Sequence, residues 1–325
     1  MKSTLLLTFS SIFSFPGKYI SKFLRSIVFC TVFCCFSYSA DFSESGAGTT
    51  SMQFLKIGVG ARPIAMGEAY CAVAEGAETI HWNPAGLSFL KRPEMSFTHT
   101  VWFDTINYES LAVAYPISTK EVLGVLVNYL SMGLIDKYDN TGTKQGTFDA
   151  KDMSGTVSFA TRFINALPLG INIKLIRSRL DDRTIFIIAG DAGCLYSLNK
   201  ELTLGLSVQN IGMSAKFDLE EAAIPFNIKA GCSYRMSNFL VAVDANFPID
   251  NSVIVNSGAE YNFKISKAVN IAARAGYRSN VNGLGGLAGL TAGVGFSIEE
   301  IVFDYAYIPY GDLGNSHRAS MKVKF

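Results

Sequence analysis

Three histidines, His81, His99 and His317, are the side chains whose ordinary pKa best suits proton transfer near neutral pH. They do not form an HxxxH or HExxH metal motif, and no GxSxG turn offers a serine nucleophile. Ser320 follows His317 closely, but a short Ser–His spacing of this kind often arises by chance. The sequence therefore predicts no catalytic residues, no metal ligands and no cofactor, and we expect a protein that is not an enzyme.

Other motifs that bind ions or nucleic acids are also missing from the sequence. Gly58-Val59-Gly60 is not followed by the Lys-Ser/Thr pair of a phosphate-binding loop, and the acidic stretch Asp136–Asp152 lacks the residue order of an EF-hand. A formal net charge of +1, without a basic cluster interleaved with aromatic residues, argues against nucleic acid as a partner. Six cysteines without a CxxC pair indicate apolar packing residues rather than a zinc site or a disulfide framework. They are Cys30, Cys34, Cys35, Cys71, Cys194 and Cys232.

The composition is apolar for a soluble protein, with 49% hydrophobic and 17% charged residues. Beyond the N-terminus, no window approaches the roughly 20 consecutive apolar residues of a spanning helix. The apolar residues are distributed along the chain, as they are in a transmembrane barrel. A soluble β-rich protein would have a similar composition, so the pattern of residues has to distinguish the two.

Residues 1–40 are predicted to be a secretory signal peptide. Lys18, Lys22 and Arg25 precede the apolar run Ile27–Phe36, which is followed by a Ser-Tyr-Ser-Ala sequence. A positive region, a short apolar core and small residues near the cleavage point are typical of such a signal. We therefore exclude this part of the chain from the fold.

From Glu94 onward, apolar residues alternate with small or polar ones, which is the pattern of a β-strand with two different faces. In Leu202–Gln209, for example, leucine and valine alternate with Thr, Gly, Ser and Gln. A β-sandwich would alternate in the same way, but an even number of strands about ten residues long favours an outer-membrane barrel. The fourteen predicted strands are 94–101, 107–115, 121–130, 154–163, 169–178, 186–197, 202–210, 225–235, 239–247, 253–263, 268–278, 287–297, 300–308 and 317–325.

The connections between these strands are mostly short and long in turn, which is typical of barrels with tight turns at one end and loops at the other. Ser131–Asp152 is predicted to be one of the long loops. In this register one face of the wall carries charged residues, which we expect to line a polar lumen. They are Arg162, Lys174, Lys229, Asp244, Glu260, Arg274, Asp304, Arg318 and Lys322.

The last predicted strand ends in an aromatic residue, in the run Lys322-Val323-Lys324-Phe325. A terminal aromatic residue on an alternating final strand resembles the recognition signal of bacterial outer-membrane proteins. We therefore expect the protein to lie in the outer membrane and to be surrounded by its lipid. We also expect the barrel-assembly machinery to recognise Phe325.

Residues 41–92 differ from the wall, because they are rich in Gly and Ala and do not alternate. Their small residues predict short helices at Ala65–Ala74 and Gly76–His81. Asn83-Pro84 then predicts a turn, in which Pro fixes φ and Gly86 is free to close it. Such a small segment fits inside a lumen, so we expect residues 41–92 to form a plug within a barrel of residues 93–325.

The stretch GARPIAMGEAYCAVAEGAETIHWNPAGL, at residues 60–87, resembles the N-terminal hatch motif of FadL-type outer-membrane transporters. It is more similar still to the PorV-like branch and to an uncharacterised UPF group of treponemal FadL-like proteins. The tail from Asp304 to Arg318 resembles the final hairpin of that group. Between these two regions the chain matches the family only in its strand pattern.

The resemblance implies a barrel with a hatch that takes up hydrophobic small molecules such as long-chain fatty acids. From the hatch motif we carry over Asn83, Pro84 and Ala85 as the expected gate. The outer loops are modest for such a transporter, which leaves open a PorV-like barrel that serves protein export, assembly or surface binding. From location alone, the residues expected to contact a ligand are Phe54, Leu55, Ile64, Met66, Met132, Leu134, Phe148, Met213 and Phe217.

We predict that Pro84→Gly or Asn83→Ala leaves the barrel in the membrane but changes its permeability, because the motif is expected to shape the hatch rather than the wall. The amount of membrane-inserted protein and the flux of small solutes into proteoliposomes measure the two effects separately. Loss of barrel assembly in either variant would show that the stretch acts in folding first and in gating second.

Overall fold

The computed structural model describes residues 42–103, 106–164, 167–216, 220–280 and 285–325. The predicted signal peptide, residues 1–40, and the predicted ligand residue Phe217 lie outside the described residues. Within these ranges, no helix has both the length and the apolar character needed to cross a bilayer. The described residues form a closed β-barrel that follows a segment of short helices and turns.

Fourteen antiparallel strands close into one barrel, because the first strand pairs with both the second and the last. This confirms the predicted fold class of a fourteen-stranded antiparallel barrel. A two-stranded hairpin, β8 and β9, lies in the connection between β7 and β10 and outside the barrel sheet. The strands are β1 Glu94–Val101, β2 Asn107–Pro116, β3 Glu121–Tyr138, β4 Lys144–Ile164, β5 Leu167–Leu180, β6 Arg183–Ser197, β7 Leu202–Gly212, β8 Ala215–Lys216, β9 Glu221–Ala222, β10 Asn227–Met236, β11 Phe239–Pro248, β12 Ile254–Lys264, β13 Val269–Arg278, β14 Leu290–Ile298, β15 Ile301–Pro309 and β16 Asn315–Lys324.

The barrel wall has an apolar outer face and a largely polar inner face. Along β5, Ile171, Ile173 and Leu175 are 55%, 64% and 55% exposed on the outside, whereas Asn172 and Lys174 between them are buried. In hydrocarbon every backbone N–H and C=O needs a protein partner, and closure of the sheet removes the unpaired edges. The closed sheet and its apolar exterior together suit a lipid bilayer.

Charged side chains face the lumen at the positions that the alternation predicts. Arg162 is half-buried, and its Nη2 donates to the Thr119 carbonyl at 2.6 Å, beside a short turn. The other eight are buried, which is tolerable only where opposite charges or hydrogen bonds compensate each charge. These eight are Lys174, Lys229, Asp244, Glu260, Arg274, Asp304, Arg318 and Lys322.

The connection between β3 and β4 differs from the prediction, because Ser131–Asp152 is not a long loop. Both strands continue through most of it, so that only a tight turn separates them. A bulge at Gly133, whose φ is +73°, lets the pairing resume in a shifted register. An ion pair between Lys144 and Asp136, at 2.7 Å, bridges the extended part. The bulge interrupts the alternation, which is why the pattern did not reveal these strand ends.

The N-terminal segment contains short helices that match the prediction only in part. The predicted helix Ala65–Ala74 is wrong, because Gly67 and Glu68 have φ values of +63° and +67°, which end the helical path. The second predicted helix begins three residues later than expected. The observed α-helices are Ala61–Ala65 and Thr79–Trp82, and the 3-10 turns are Glu44–Gly46, Gln53–Lys56 and Pro84–Phe89, with another at Gly311–Leu313 before β16.

This segment follows the inner face of the wall from one end of the barrel to the other. Near its start, Lys56 forms an ion pair of 2.5 Å with Asp250, in the connection between β11 and β12 at the long-loop end. Near its end, Arg92 pairs at 2.5 Å with Glu300, in the short turn between β14 and β15. Most side chains between these two points are buried. The segment therefore occupies the lumen.

We predict that Ile173→Arg lowers the free energy of unfolding in lipid by about 2–4 kcal/mol, because the new charge would lie in hydrocarbon. Ile265, in the short turn between β12 and β13, is also 64% exposed and provides a matched control at the edge of the barrel. Denaturant titration in lipid vesicles measures both variants. Equal losses for Ile173→Arg and Ile265→Arg would contradict the assignment of the outer face to lipid.

Candidate functional site

Six strands carry an inward-facing glycine at which an added β-carbon would lie within 2.4 Å of an atom of the N-terminal segment. At each position a β-carbon would overlap an atom of the segment; at Gly258, for example, it would overlap the carbonyl of Met66. At four of the six positions the nearest atom is in the backbone of the segment, and only glycine lets two backbones approach this closely; at the other two it belongs to a side chain. We call these residues the glycine belt: Gly170 of β5, Gly193 of β6, Gly205 of β7, Gly258 of β12, Gly276 of β13 and Gly293 of β14.

The side chain of Asn83 attaches the Asn83-Pro84-Ala85 corner to the wall. Its Nδ2 donates to the carbonyl of Cys71 at 2.9 Å and to the carbonyl of Cys194, on β6, at 3.1 Å. Its Oδ1 accepts from the Ala85 N–H at 3.2 Å and caps the 3-10 turn that Pro84 begins. The predicted gate residues are therefore buried together, at a point where two parts of the segment meet the wall.

A second attachment uses Asp244, a fully buried carboxylate on β11. Its Oδ2 accepts the backbone N–H groups of Tyr70 and Cys71, both at 2.8 Å. Hydrogen bonds to an ionised acceptor are roughly twice as strong as neutral ones. The carboxylate of Asp244 thus binds the middle of the segment through backbone N–H groups rather than through a side chain of the segment.

Buried ion pairs also join the segment to the wall. Arg62 of the segment and Arg274 of β13 share Glu260, at 2.7 and 2.6 Å, and Arg274 also reaches Asp304 at 2.7 Å. Removing one partner of such a pair leaves a buried charge without compensation, at a cost of about 3–5 kcal/mol. The pairs therefore fix where the segment sits in the lumen. Two further pairs, each at 2.7 Å, are Lys322–Glu78 and Arg278–Glu68.

A cavity of about 390 Å³ lies at the long-loop end, between the start of the segment and the wall. This volume is in the range of small-molecule sites, which is about 300–1,000 Å³. On the wall side, polar groups reach the cavity where Asp152 of β4 lies opposite Ser178 of β5. The rest of the lining is largely apolar and includes Met52, Phe54, Ile57, Trp102, Leu130 and Met132.

Three aromatic rings pack together next to this cavity. Trp102 and Phe103, which follow β1, contact Tyr310, which precedes β16, with ring centroids 5.0–5.5 Å apart. The guanidinium carbon of Arg318 lies 5.0 Å from the Trp102 ring centroid, and that of Arg278 lies 4.9 Å from the Tyr310 centroid. Cations at these distances stabilise the rings through cation–π attraction. The aromatic cluster lies between the cavity and the charged side chains of the lumen.

Four of the predicted ligand residues are buried and Met132 is half-buried, but only two of these five contact the cavity. Phe54 and Met132 line it, and Leu55 is buried in the same hydrophobic cluster as Phe54. Ile64 and Met66 belong to a second cluster, deeper in the lumen. The structure thus brings together the start of the segment and the end of β3, and separates both from the helix that contains Ile64.

The remaining predicted ligand residues lie elsewhere. Leu134 and Met213 are 76% and 64% exposed, and Phe148 is half-buried in the extended part of β4. Phe217 lies outside the described residues. These four residues were expected to contact a ligand because they fall in predicted loops. The extension of β3 and β4 makes Leu134 and Phe148 strand residues instead.

Sequence reasoning missed Trp102, Ile106 and Asp152, which also line the cavity. Trp102 is one of only two tryptophans in the chain and comes directly after β1, so its type and position could have pointed to it. The place of Asp152 depends on its pairing with Ser178. The alternation of residue types shows which face of the sheet a side chain occupies, but not which residue of the neighbouring strand lies opposite it.

The described cysteines, Cys71, Cys194 and Cys232, are free thiols rather than disulfides. Across the residues that the structure describes, no three or more His, Cys, Asp or Glu side chains are grouped so that they could hold a metal ion.

We predict that Gly258→Val displaces the segment and lowers the free energy of unfolding by about 1–3 kcal/mol, because its side chain would overlap Met66. Gly155 of β4 is the matched control, since a β-carbon there meets no atom within 4 Å. Thermal unfolding and limited proteolysis of the segment measure the change. The glycine belt would have no role if Gly258→Val and Gly155→Val behaved alike.

No family model matches this sequence, and no curated protein matches it. Solved structures do match the fold. The Ralstonia pickettii toluene transporter TbuX has a TM-score of 0.58 and 13% identity, and the match covers 82% of this chain and 98% of that chain. The Pseudomonas putida toluene transporter TodX has a TM-score of 0.56 and 10% identity, with 82% and 96% covered.

A Pseudomonas aeruginosa FadL homologue also matches, with a TM-score of 0.50, 10% identity, and 77% of this chain and 94% of that chain covered. At these identities the similarity concerns the fold. The more specific resemblance to the PorV-like branch and to the treponemal group stays a prediction. This chain shares with the toluene transporters and the FadL homologue the overall fold of a closed barrel.

Proposed function

We propose that this protein is an outer-membrane channel for the uptake of hydrophobic small molecules. The observation that carries the proposal is the largely apolar cavity at the long-loop end, to which the segment contributes Phe54 and the wall contributes Met132. The fold supports the proposal as well, because the toluene transporters TbuX and TodX and a FadL homologue share it.

In this proposal residues 41–92 are the hatch and residues 93–325 are the barrel. Between the cavity and the short-turn end the lumen is occupied by the segment, in which Met66, Ile80 and Trp82 are completely buried. A molecule in the cavity therefore moves on only when the hatch shifts or the wall opens beside it. The hydrogen bonds of Asn83 make this corner the proposed gate, because they tie the hatch to β6.

Partitioning provides the driving force for uptake. An apolar molecule gains about 0.8 kcal/mol for each CH₂ group that it transfers from water to an apolar site. It would enter the cavity from water and leave for lipid, so that no nucleotide is needed. Long-chain fatty acids are one candidate cargo, and uncharged hydrocarbons are another.

Export and insertion would depend on the two ends of the chain. Residues 1–40 would act as the signal peptide. The backbone N–H of Phe325 donates to the carbonyl of Pro93 at 2.9 Å, while the Phe325 side chain is 65% exposed. This exposure supports the proposal that the barrel-assembly machinery recognises Phe325, and that the mature barrel resides in the outer membrane.

A barrel that serves protein export, assembly or surface binding is the second candidate function, and one observation favours it. The segment is joined to the wall by buried ion pairs such as Lys322–Glu78, at 2.7 Å. A segment fixed in this way would suit a permanent plug. The extended β3 and β4 would then present a surface for a protein partner.

Uptake by purified protein in liposomes tests the proposal. We expect saturable entry of toluene or of a labelled fatty acid. We also expect a fall of about five- to tenfold in the initial rate for Phe54→Ser, because the ligand loses part of an apolar contact. Leu134→Ser is the control, since this leucine is 76% exposed and does not line the cavity.

Two outcomes would contradict the uptake proposal. Entry no faster than into empty liposomes, with the barrel correctly inserted, would favour the permanent plug. Equal rates for Phe54→Ser and Leu134→Ser would show that molecules bypass the cavity. Migration of the unheated and heated protein in detergent gels verifies that each variant is folded.

A further inference from the structure

Asp152 is the one charged residue that lines the cavity, among the lining residues that the structure describes. It lies directly opposite Ser178 in the pairing of β4 with β5, and its Oδ1 accepts a hydrogen bond from the Ser178 hydroxyl. The uncharged residues Ser51 and Gln53 are the other polar groups of the lining. A ligand in the cavity therefore meets one negative charge in a largely apolar site.

No basic residue in the described ranges forms an ion pair with Asp152. Its neighbour Lys151 and the residue opposite that lysine, Arg179, both pair with Asp149 instead. A carboxylate beside apolar surface without a cationic partner is poorly compensated. A hydrogen-bond donor on the ligand would supply the missing partner.

One positive charge near the cavity lies behind an aromatic ring. The guanidinium carbon of Arg318 is 5.0 Å from the Trp102 ring centroid, and its Nη1 donates to the carbonyl of Gly58. Trp102 lines the cavity, whereas Arg318 does not. A negatively charged ligand would therefore encounter Asp152 without direct contact to Arg318.

We infer that the cavity prefers hydrophobic molecules that end in a hydrogen-bond donor, such as an alcohol or an amine, and binds carboxylates more weakly. The apolar part would pack against Phe54, Ile57 and Met132, and the donor would bond to the Asp152 carboxylate. A carboxylate in the same position would face like charge and would offer no donor. This inference rests on the proposed uptake function and narrows its substrate class.

Binding of three matched probes, octanol, octylamine and octanoate, to the purified full chain in detergent at pH 8 tests the inference. Tryptophan fluorescence reports binding, because Trp102 lines the cavity. We expect octanol and octylamine to bind wild type at least about tenfold more tightly than octanoate, which corresponds to one charge-assisted hydrogen bond. In Asp152→Asn we expect this preference to shrink to about threefold or less.

Asp136→Asn is the matched control, because this carboxylate pairs with Lys144 and does not line the cavity. It should keep the wild-type preference. The comparison of probes on wild type uses no variant, so it remains decisive if Asp152→Asn does not fold.

Two results would overturn the inference in different ways. If octanoate binds as tightly as octanol while liposomes still take up toluene, the inferred selectivity is wrong but the proposed uptake function is not contradicted. Absence of binding for all three probes, together with absence of uptake, would remove both. A preference that persists in Asp152→Asn would assign the selection to another residue.

Discussion

Close contact between the N-terminal segment and the glycine belt is the constraint on which the organisation of the lumen depends. Eight strands enclose a space that their own side chains can fill, but fourteen enclose more. Here the segment fills that space, and it fits because six strands lack a side chain where it passes. The segment contributes small groups of its own, as where Gly67 meets Gly276 and Ala65 meets Gly293. Backbone therefore packs against backbone, and the position of each fixes the other.

Charged groups determine where the segment packs along the wall. Arg62, Glu68 and Glu78 of the segment each face an opposite charge on a particular strand, and Asp244 accepts two backbone N–H groups. A shift of the segment by one residue would separate buried charges from their partners. The cavity differs from this region, because Asp152 has a hydroxyl partner and no cationic partner among the described residues. The paired charges hold the N-terminal segment in place, and the carboxylate of Asp152 borders the cavity.

The cavity forms where three distant parts of the sequence meet. Phe54 comes from the segment, Trp102 from the connection after β1, and Asp152 from β4, on the far side of a turn. None of these three positions lies in a sequence motif that would indicate a ligand site. Phe54 and Met132 could be named from their apolar character and location, but Asp152 could not, because its place depends on its pairing with Ser178 on the neighbouring strand.

The sequence by itself determined the wall. Side chains alternate along a strand with a period of two, so the repeat is visible in the residues, and β1 begins and ends where the alternation does, at Glu94 and Val101. The same repeat placed Lys174 and Arg318 on the inner face. Only the tertiary structure decided which strand each part of the segment touches, which glycines are indispensable and which carboxylate borders the cavity. These depend on contacts between residues far apart in the chain, such as Met66 with Gly258, and no local pattern encodes them.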